Sequence, residues 1–186
     1  MHEESNAEQT PNTSVEPALP LAAAVYTPHA RDIQALPRFV EALKAQGVRI
    51  GGILQEDVLR PDGSRSHIDA VDQLSGQRFP INQPKPEKRE TKECSLDAAV
   101  LTDSTSAVRA AVAESVDLVV IEKFGAEEQR GGGLADEMLE VVAAEIPLLV
   151  AVPENGLEAW DERMGGMGTR IPFEEAAFHA WWESAR

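Results

Sequence analysis

The sequence predicts an α/β protein with a three-layer, mainly parallel sheet and a small β-hairpin insert. Short apolar runs rich in β-branched residues, such as 118–121 (Leu-Val-Val-Ile), are typical of strands that are covered on both faces. They alternate with segments whose apolar residues recur every three or four positions, as in amphipathic helices. This alternation is typical of parallel sheets flanked by helices. A chain of 186 residues accommodates one such domain, which we expect to cover residues 19–186.

The first half of the chain supplies two strands, a helix and the hairpin. Pro28 stops the first strand, and Gly47 stands where a helix would end. Alternating residues around Ser75 and Gly76 indicate two strands joined by a turn. The predicted elements are a strand from Leu19, a helix on Ile33, Leu36, Phe39, Val40 and Leu43, a strand at 48–55, a turn at 60–64, and hairpin strands at 67–73 and 78–83.

The second half continues the alternation. Ser95 has the character of a helix N-cap, with Asp97 in the first turn. The predicted elements are a charged surface loop at 84–93, a helix at 96–114, a strand at 116–122, a helix from Leu134, a strand at 147–153 and, from Leu157, two helical pieces separated by residues 165–168.

Composition excludes several classes of function. A formal net charge of −15 argues against a general nucleic-acid binder, because phosphate backbones require clustered Lys and Arg. Residues 1–18 are acidic, lack the basic and then apolar character of a signal peptide, and are predicted to be a disordered tail. The sequence shows no membrane span, and a single cysteine suits a reducing compartment. We therefore expect a cytoplasmic protein.

The segment 116–138 carries the most informative functional pattern. A predicted strand ends at Glu122 and Lys123, and a loop with four glycines then leads into a helix. Ligands of open α/β sheets bind beyond the carboxyl ends of the strands, where this loop would lie. The alternative is a plain connection between a strand and a helix, although such a turn needs only one glycine. The candidate ligand-binding residues are Glu122, Lys123, Phe124, Gly125, Glu128, Arg130, Gly131 and Gly133, with Tyr26 and Thr27 at the end of the first strand.

The side chains of this loop suggest binding of an anion. Lys123 would neutralise an oxyanion or phosphate, and Arg130 would assist through two hydrogen bonds. Glu128 is expected to accept the amide hydrogens of Gly131 and Gly133, and exposed amides before the helix would form an anion site. The alternatives are solvated loop charges and a simple helix cap. No catalytic residue is predicted.

Cys94 is the one candidate metal ligand. It precedes a predicted helix N-terminus, where the helix dipole lowers the pKa of a thiol and favours the thiolate. A thiolate suits soft metals, whereas a lone cysteine is more often a small buried apolar residue. The four histidines show no spacing typical of a metal site.

The order of elements resembles the P-loop nucleotide-hydrolase fold, but the Walker A motif is degenerate. The P-loop sequence GxxxxGK[ST] would follow the first strand, and residues 26–32 read Tyr-Thr-Pro-His-Ala-Arg-Asp instead. A Pro-containing turn removes most of the grip on a triphosphate. Thr27, His29 and Arg31 remain able to meet a smaller anion near the helix start.

Several motifs identify the chain as a member of a bacterial family of unknown function that is often encoded beside molybdate-transport genes. They are AAAVYTP, GVRIGGILQ, DAVDQLSGQRFPI, CSLD, DLVVIEKFGAEE with GGGL, and IPLLVAVPENGLEAW, which span residues 22–160. The family resembles small nucleoside-triphosphatases and the molybdopterin-guanine-dinucleotide accessory GTP-binding proteins, without their P-loop. By this resemblance, Glu122 lies near the acidic residue that holds magnesium or polarises water in those hydrolases.

These observations together favour an accessory ligand-binding protein of molybdenum metabolism. Its ligand would be a small anion, a nucleotide with magnesium, molybdate or a molybdopterin fragment, and its partners a molybdenum transport or cofactor protein and a second copy in a homodimer. One alternative is a nucleoside-triphosphatase with a rearranged phosphate site. The other is a regulatory or adaptor protein without enzymatic activity.

Overall fold

The computed structural model describes the backbone of residues 19–82 and 98–186 and the side chains of residues 19–81 and 103–186. The predictions for the tail at 1–18, for the loop at 84–93 and for Cys94, Ser95 and Asp97 therefore lie outside the described residues.

In the described part of the chain, seven strands form one sheet, in which five adjacent strands are parallel and a hairpin extends one edge. The spatial order is β4-β3-β2-β5-β6-β1-β7. Strands β2, β5, β6, β1 and β7 pair in parallel, whereas β3 pairs antiparallel with both β2 and β4. The strands are β1 (Leu21–Tyr26), β2 (Ile50–Leu59), β3 (Arg65–Asp72), β4 (Arg78–Asn82), β5 (Leu118–Ile121), β6 (Leu148–Pro153) and β7 (Thr169–Pro172).

Helices cover both faces of the sheet, so the predicted three layers and the hairpin insert are confirmed. The helices are α1 (Ala35–Ala45), α2 (Ala98–Ala113), α3 (Ala126–Gln129), α4 (Ala135–Ala143), α5 (Leu157–Met164) and α6 (Glu175–Ala185), and a 3-10 turn (Glu154–Gly156) precedes α5. Buried residues of α1 and α6 pack on one face, and those of α2, α4 and α5 pack on the other. Alternate residues of β1 serve the two cores, with Ala23 on one side and Ala22 and Ala24 on the other.

The paired glycines of β2 allow close approach at the middle of the sheet. Gly52 has φ +99°, and a Cβ atom there would lie 1.9 Å from the carbonyl oxygen of Val120 on β5. At Gly51 a Cβ would lie 2.3 Å from the Cβ of Ala111 on α2. Glycine at both positions therefore permits the strand pairing and the seating of α2.

The C-terminal part differs from the prediction of two helical pieces. A strand, β7, follows α5 and pairs with β1, so this part is a helix, a strand and a second helix. Trp160 is buried on one face of the sheet, and Trp181 and Trp182 are buried on the other. The three tryptophans therefore belong to the cores on the two faces of the sheet. Within the described residues, no helix has the length and apolar character to cross a membrane.

Candidate functional site

The carboxyl ends of β1 and β6 lie side by side at one edge of the sheet. These two strands are parallel neighbours, with Tyr26 of β1 opposite Pro153 of β6. The chain leaves β1 for α1 on one face of the sheet and leaves β6 for α5 on the other. Connections that diverge to opposite faces define a switch point, which is the usual ligand position in open α/β sheets.

Arg31 lies at this end of β1, in the loop between β1 and α1. Its guanidinium carbon is 4.3 Å from the ring centre of Tyr26 and 5.4 Å from that of Phe173. The two rings meet edge to face, with their centres 5.6 Å apart. Only 17% of the Arg31 side chain is exposed. The aromatic rings therefore hold a cation at the carboxyl edge of the sheet.

Glu122 is the buried anion of the site. It follows β5 directly and is 4% exposed. Its Oε2 accepts a hydrogen bond of 2.8 Å from the backbone N–H of Gln55, on the neighbouring strand β2. Its Oε1 lies 3.6 Å from Nη2 of Arg31, which is an ion-pair distance but longer than a hydrogen bond.

The Arg31–Glu122 pair leaves hydrogen-bonding capacity unused. Nη1 of Arg31 is buried and has no hydrogen-bond acceptor among the described residues. A buried polar group without a partner costs free energy, and the cost is larger when the group is charged. The site therefore combines an unmatched donor with a carboxylate oxygen that has spare lone pairs.

Burial shifts the acid–base behaviour of two groups in the site. Removal from water raises the pKa of Glu122, the Gln55 hydrogen bond and Arg31 lower it, and the charges of Asp57 and Glu56 raise it further. Burial likewise raises the pKa of Tyr26, against the effect of Arg31. The neutral form of Glu122 is thus favoured relative to an exposed glutamate.

The structure brings only part of the predicted set together. Tyr26 and Glu122 both lie beside Arg31, and Thr27 is exposed at the start of the same loop. Lys123 is exposed and makes no ion pair within the described part of the chain. Phe124 is fully buried in the core, edge to face with Trp160 at 5.3 Å between ring centres.

Glu128 organises the glycine loop by contacts that differ from the expected ones. Its carboxylate accepts hydrogen bonds from the backbone N–H groups of Gly125, at 2.9 Å, and Leu134, at 3.1 Å. The predicted side-chain contact to Gly131 is replaced by a backbone bond, because the Gly131 N–H donates to the Glu128 carbonyl. At Gly133, with φ +59°, a Cβ would lie 1.9 Å from Oε1 of Glu128. Glycine is therefore required where this carboxylate approaches the backbone.

The protein's own groups consequently fill much of the expected anion site before α4. The Glu128 carboxylate binds the Leu134 amide at the helix start, and the Gly132 N–H donates to the carbonyl of Glu127. Arg130 forms an ion pair with Glu127 on the exposed side of the loop. Glu122 is buried and pairs with Arg31 rather than with a cation of this loop.

The residues that complete the site carried little signal in the sequence. Gln55 contributes its backbone N–H, which any residue except proline possesses. Phe173 belongs to the β7 region, which was predicted as helix. Arg31 was recognised as a residue able to meet an anion, but its pairing with Glu122 follows only from the strand order.

The geometry at Glu122 does not fit a magnesium ion. One carboxylate oxygen is engaged by Gln55, and the other faces the positive charge of Arg31. Mg²⁺ requires near-octahedral oxygen ligands and is usually held by carboxylates together with substrate phosphates. Among the described residues no cluster of three or more His, Cys, Asp or Glu side chains could hold a metal ion.

The fold and site define an α/β protein with a buried Arg–Glu pair at the carboxyl edge of a mostly parallel sheet. The chain belongs to the family described as "Protein of unknown function (DUF2478)", whose model matches residues 21–181. It is 40% identical over 162 residues to the molybdenum import ATP-binding protein ModC 2 of Bradyrhizobium diazoefficiens. The match covers 87% of this chain but 18% of that relative, so the chain spans less than a fifth of the relative's length.

Proposed function

We propose that this protein is a cytoplasmic accessory protein that binds a small anion, or the anionic group of a nucleotide or molybdenum-cofactor fragment, for a process in molybdenum metabolism. We further propose that its sheet is of the P-loop-hydrolase type, with the Arg31 loop in place of the phosphate-binding loop. Arg31 and Glu122 would form the centre of the site, with Tyr26 as its aromatic wall and Thr27 and Lys123 at its rim.

The observation that carries this proposal is the unmatched Nη1 of Arg31. The guanidinium of Arg31 is mostly buried beside two aromatic rings and carries a delocalised positive charge. An oxyanion would supply the missing acceptor and a compensating charge. Since Nη1 is itself shielded, binding requires a local displacement of the residues around it.

The molybdenum context is supported by the relative and by nothing in the site itself. That protein is named for molybdenum import and ATP binding, and this chain corresponds to 18% of it. The dipeptide Gly-Lys occurs nowhere in the 186 residues, so a P-loop of the GxxxxGK[ST] form cannot bind ATP here. Binding of a smaller anion is compatible with both facts.

A thermal-shift and calorimetric screen tests the proposal, with phosphate, sulfate, molybdate, tungstate and the nucleotides GTP and ATP as ligands. A ligand at about 100 times its dissociation constant stabilises the fold by about 2.7 kcal/mol. Arg31→Gln should abolish the shift. Arg38→Gln is the matched control, because Arg38 lies on α1 and pairs with Asp32 and Glu175 at the surface. Equal shifts in the Arg31 variant and the wild type would contradict the proposal.

An adaptor role is the second candidate, and the partial coverage of the relative favours it. In the relative, the matching sequence forms 18% of a longer protein. This chain would correspond to one module of such a protein, and would contact other parts of a transport system. Binding to a molybdenum-transport protein that persists in the Arg31→Gln and Glu122→Gln variants, without any added anion, would support this candidate over the first.

A further inference from the structure

We propose that the Arg31–Glu122 site takes up its anion together with one proton, and so prefers an oxyanion that carries a proton at neutral pH, such as hydrogenphosphate, to a fully ionised one, such as sulfate or molybdate. This inference rests on the proposed function, because it concerns the same site.

The first step is the position of the spare oxygen of Glu122. Oε2 is bound by the Gln55 N–H, whereas Oε1 lies 3.6 Å from Nη2 of Arg31 without a hydrogen bond to it. An anion that bridges Nη1, the unmatched donor, and Nη2 of Arg31 therefore brings an oxygen close to Oε1. Two negative oxygens at such a distance repel each other unless one of them carries a proton.

The second step concerns the charges around Glu122. Arg31, from the loop after β1, is the cation within ion-pair distance of it among the described residues. Tyr26 on β1 is polar but neutral, and Glu56 and Asp57 on β2 add negative charge. One guanidinium thus faces a buried carboxylate and two further carboxylates. A fully ionised ligand would add negative charge to a buried site that already holds the Glu122 carboxylate. We therefore expect a proton to accompany the ligand.

The third step separates the ligands by where the proton comes from. Hydrogenphosphate carries its own proton and donates it to Oε1 of Glu122 while its other oxygens accept from Arg31. Sulfate and molybdate carry none at neutral pH, so Glu122 must first take a proton from solvent. A phosphate monoester, with a second pKa of about 6, lies between these cases.

The test compares phosphate and sulfate by isothermal titration calorimetry at several values from about pH 6 to about pH 9, at constant ionic strength. In the wild type, sulfate affinity should fall by about tenfold per pH unit above the pKa of Glu122, while phosphate affinity should change by less than about twofold between about pH 8 and about pH 9, where hydrogenphosphate is the main phosphate species. Molybdate, measured at and above neutral pH, should follow sulfate.

The Glu122→Gln variant provides the decisive comparison. Its amide N–H₂ can donate to the anion in place of the proton, and its amide oxygen can still accept from Gln55. This variant should bind sulfate without the fall at high pH. Calorimetry of the wild type at about pH 8.5, in two buffers of different ionisation enthalpy, gives an independent measure and should show one proton taken up per sulfate and none per hydrogenphosphate. This measurement does not depend on the folding of the variant.

Two failures can be told apart. If neither anion binds the wild type at any of these pH values, or if Arg31→Gln binds as the wild type does, the proposed function fails. If binding requires Arg31 but sulfate and phosphate show the same pH dependence, or no proton accompanies sulfate, the coupled uptake is overturned and the anion site remains.

Discussion

The carboxylate of Glu122 is buried at 4% exposure with a cation 3.6 Å away and one hydrogen bond from the backbone. Burying a charge without full compensation favours its neutral form. Its raised pKa means that the folded protein holds this proton more tightly than the unfolded chain does. Protonation of Glu122 is thus linked to the stability of the fold.

The sign of this linkage gives a prediction. The unfolded chain loses the proton near the ordinary value of 4.5, whereas the folded chain retains it to higher pH. The contribution of Glu122 to the free energy of unfolding is therefore fully present below that value and declines as the pH rises through the folded pKa. Urea unfolding of the wild type and Glu122→Gln across this range should show the difference, wild type minus variant, falling with pH.

Asp32 supplies a control of opposite sign. The Arg38 hydrogen bond lowers the pKa of this exposed carboxyl, so its contribution is present above the unfolded value and is lost as the pH falls. The difference between wild type and Asp32→Asn should not decline with rising pH. A Glu122 difference that rises or stays flat through the same window would contradict burial as the main cause of the shift.

The location of a site residue could be predicted from the sequence only where the residue directly follows a recognisable strand. Glu122 follows a continuous apolar run, so its location at the carboxyl edge was evident from the sequence. Its partner was not, because Arg31 reaches it across the sheet from the loop after β1. The choice between Arg31, Lys123 and Arg130 depends on strand order and burial, which local sequence does not encode.

At the scale of elements, the glycine loop and α3 form a connection that is held by one buried carboxylate. Glu128, 9% exposed, binds the amides of Gly125 and Leu134 and so ties the end of β5 to the start of α4. The loop carries its glycines partly for this contact, since a side chain at Gly133 would collide with the carboxylate. The glycine run is thus explained by structure before any ligand is considered.

Replacement of this carboxylate should loosen the connection. Glu128→Ala leaves two amides without their acceptor, and each buried unsatisfied group costs about 1–3 kcal/mol. We expect a loss of about 2–4 kcal/mol in the free energy of unfolding by urea denaturation. Glu127→Ala is the neighbouring control and should cost less than about 1 kcal/mol, because its carboxylate pairs with Arg130 at the surface. Equal losses in the two variants would refute the assigned role of Glu128.

Elements were predictable in proportion to the apolar surface that they bury. Strands β5 and β6 are buried along their whole length, and both were evident as continuous apolar runs. Strand β7 (Thr169–Pro172) was missed because it lies at the sheet edge and is largely exposed, so it carries no apolar run. The short helix α3 has four residues, fewer than periodicity can reveal.

At the scale of the whole molecule, an aromatic chain connects the site to the layer formed by α1 and α6. Ring centres are separated by 5.6 Å between Tyr26 and Phe173, 5.2 Å between Phe173 and Phe178, and 5.6 Å between Phe178 and Phe39. Edge-to-face contacts of this kind stabilise a core beyond the area that they bury. The wall beside Arg31 is thus continuous with the core on one face of the sheet.

Two substitutions among these aromatic residues can separate the loss of core stability from the loss of anion affinity. Phe173→Leu and Phe178→Leu both remove a ring from the core, and each should lower the free energy of unfolding by about 1–3 kcal/mol. Phe173 also lies 5.4 Å from the guanidinium carbon of Arg31. If Arg31 binds the anion, Phe173→Leu should weaken binding by about 2- to 30-fold, which corresponds to the loss of about 0.5–2 kcal/mol of cation–π contact. Phe178→Leu should leave the affinity within about twofold of wild type, since its ring supports Phe173 without forming the wall itself.

Calorimetric titration with phosphate, at a temperature where both variants are folded, makes this comparison. An equal loss of affinity in both variants would mean that the site responds to the stability of the whole layer, and that the Phe173 ring has no separate part in holding Arg31. A loss confined to Phe173→Leu would indicate that the edge strand β7 and the loop after β1 together form one site. Phe173 directly follows β7, and Arg31 lies in that loop.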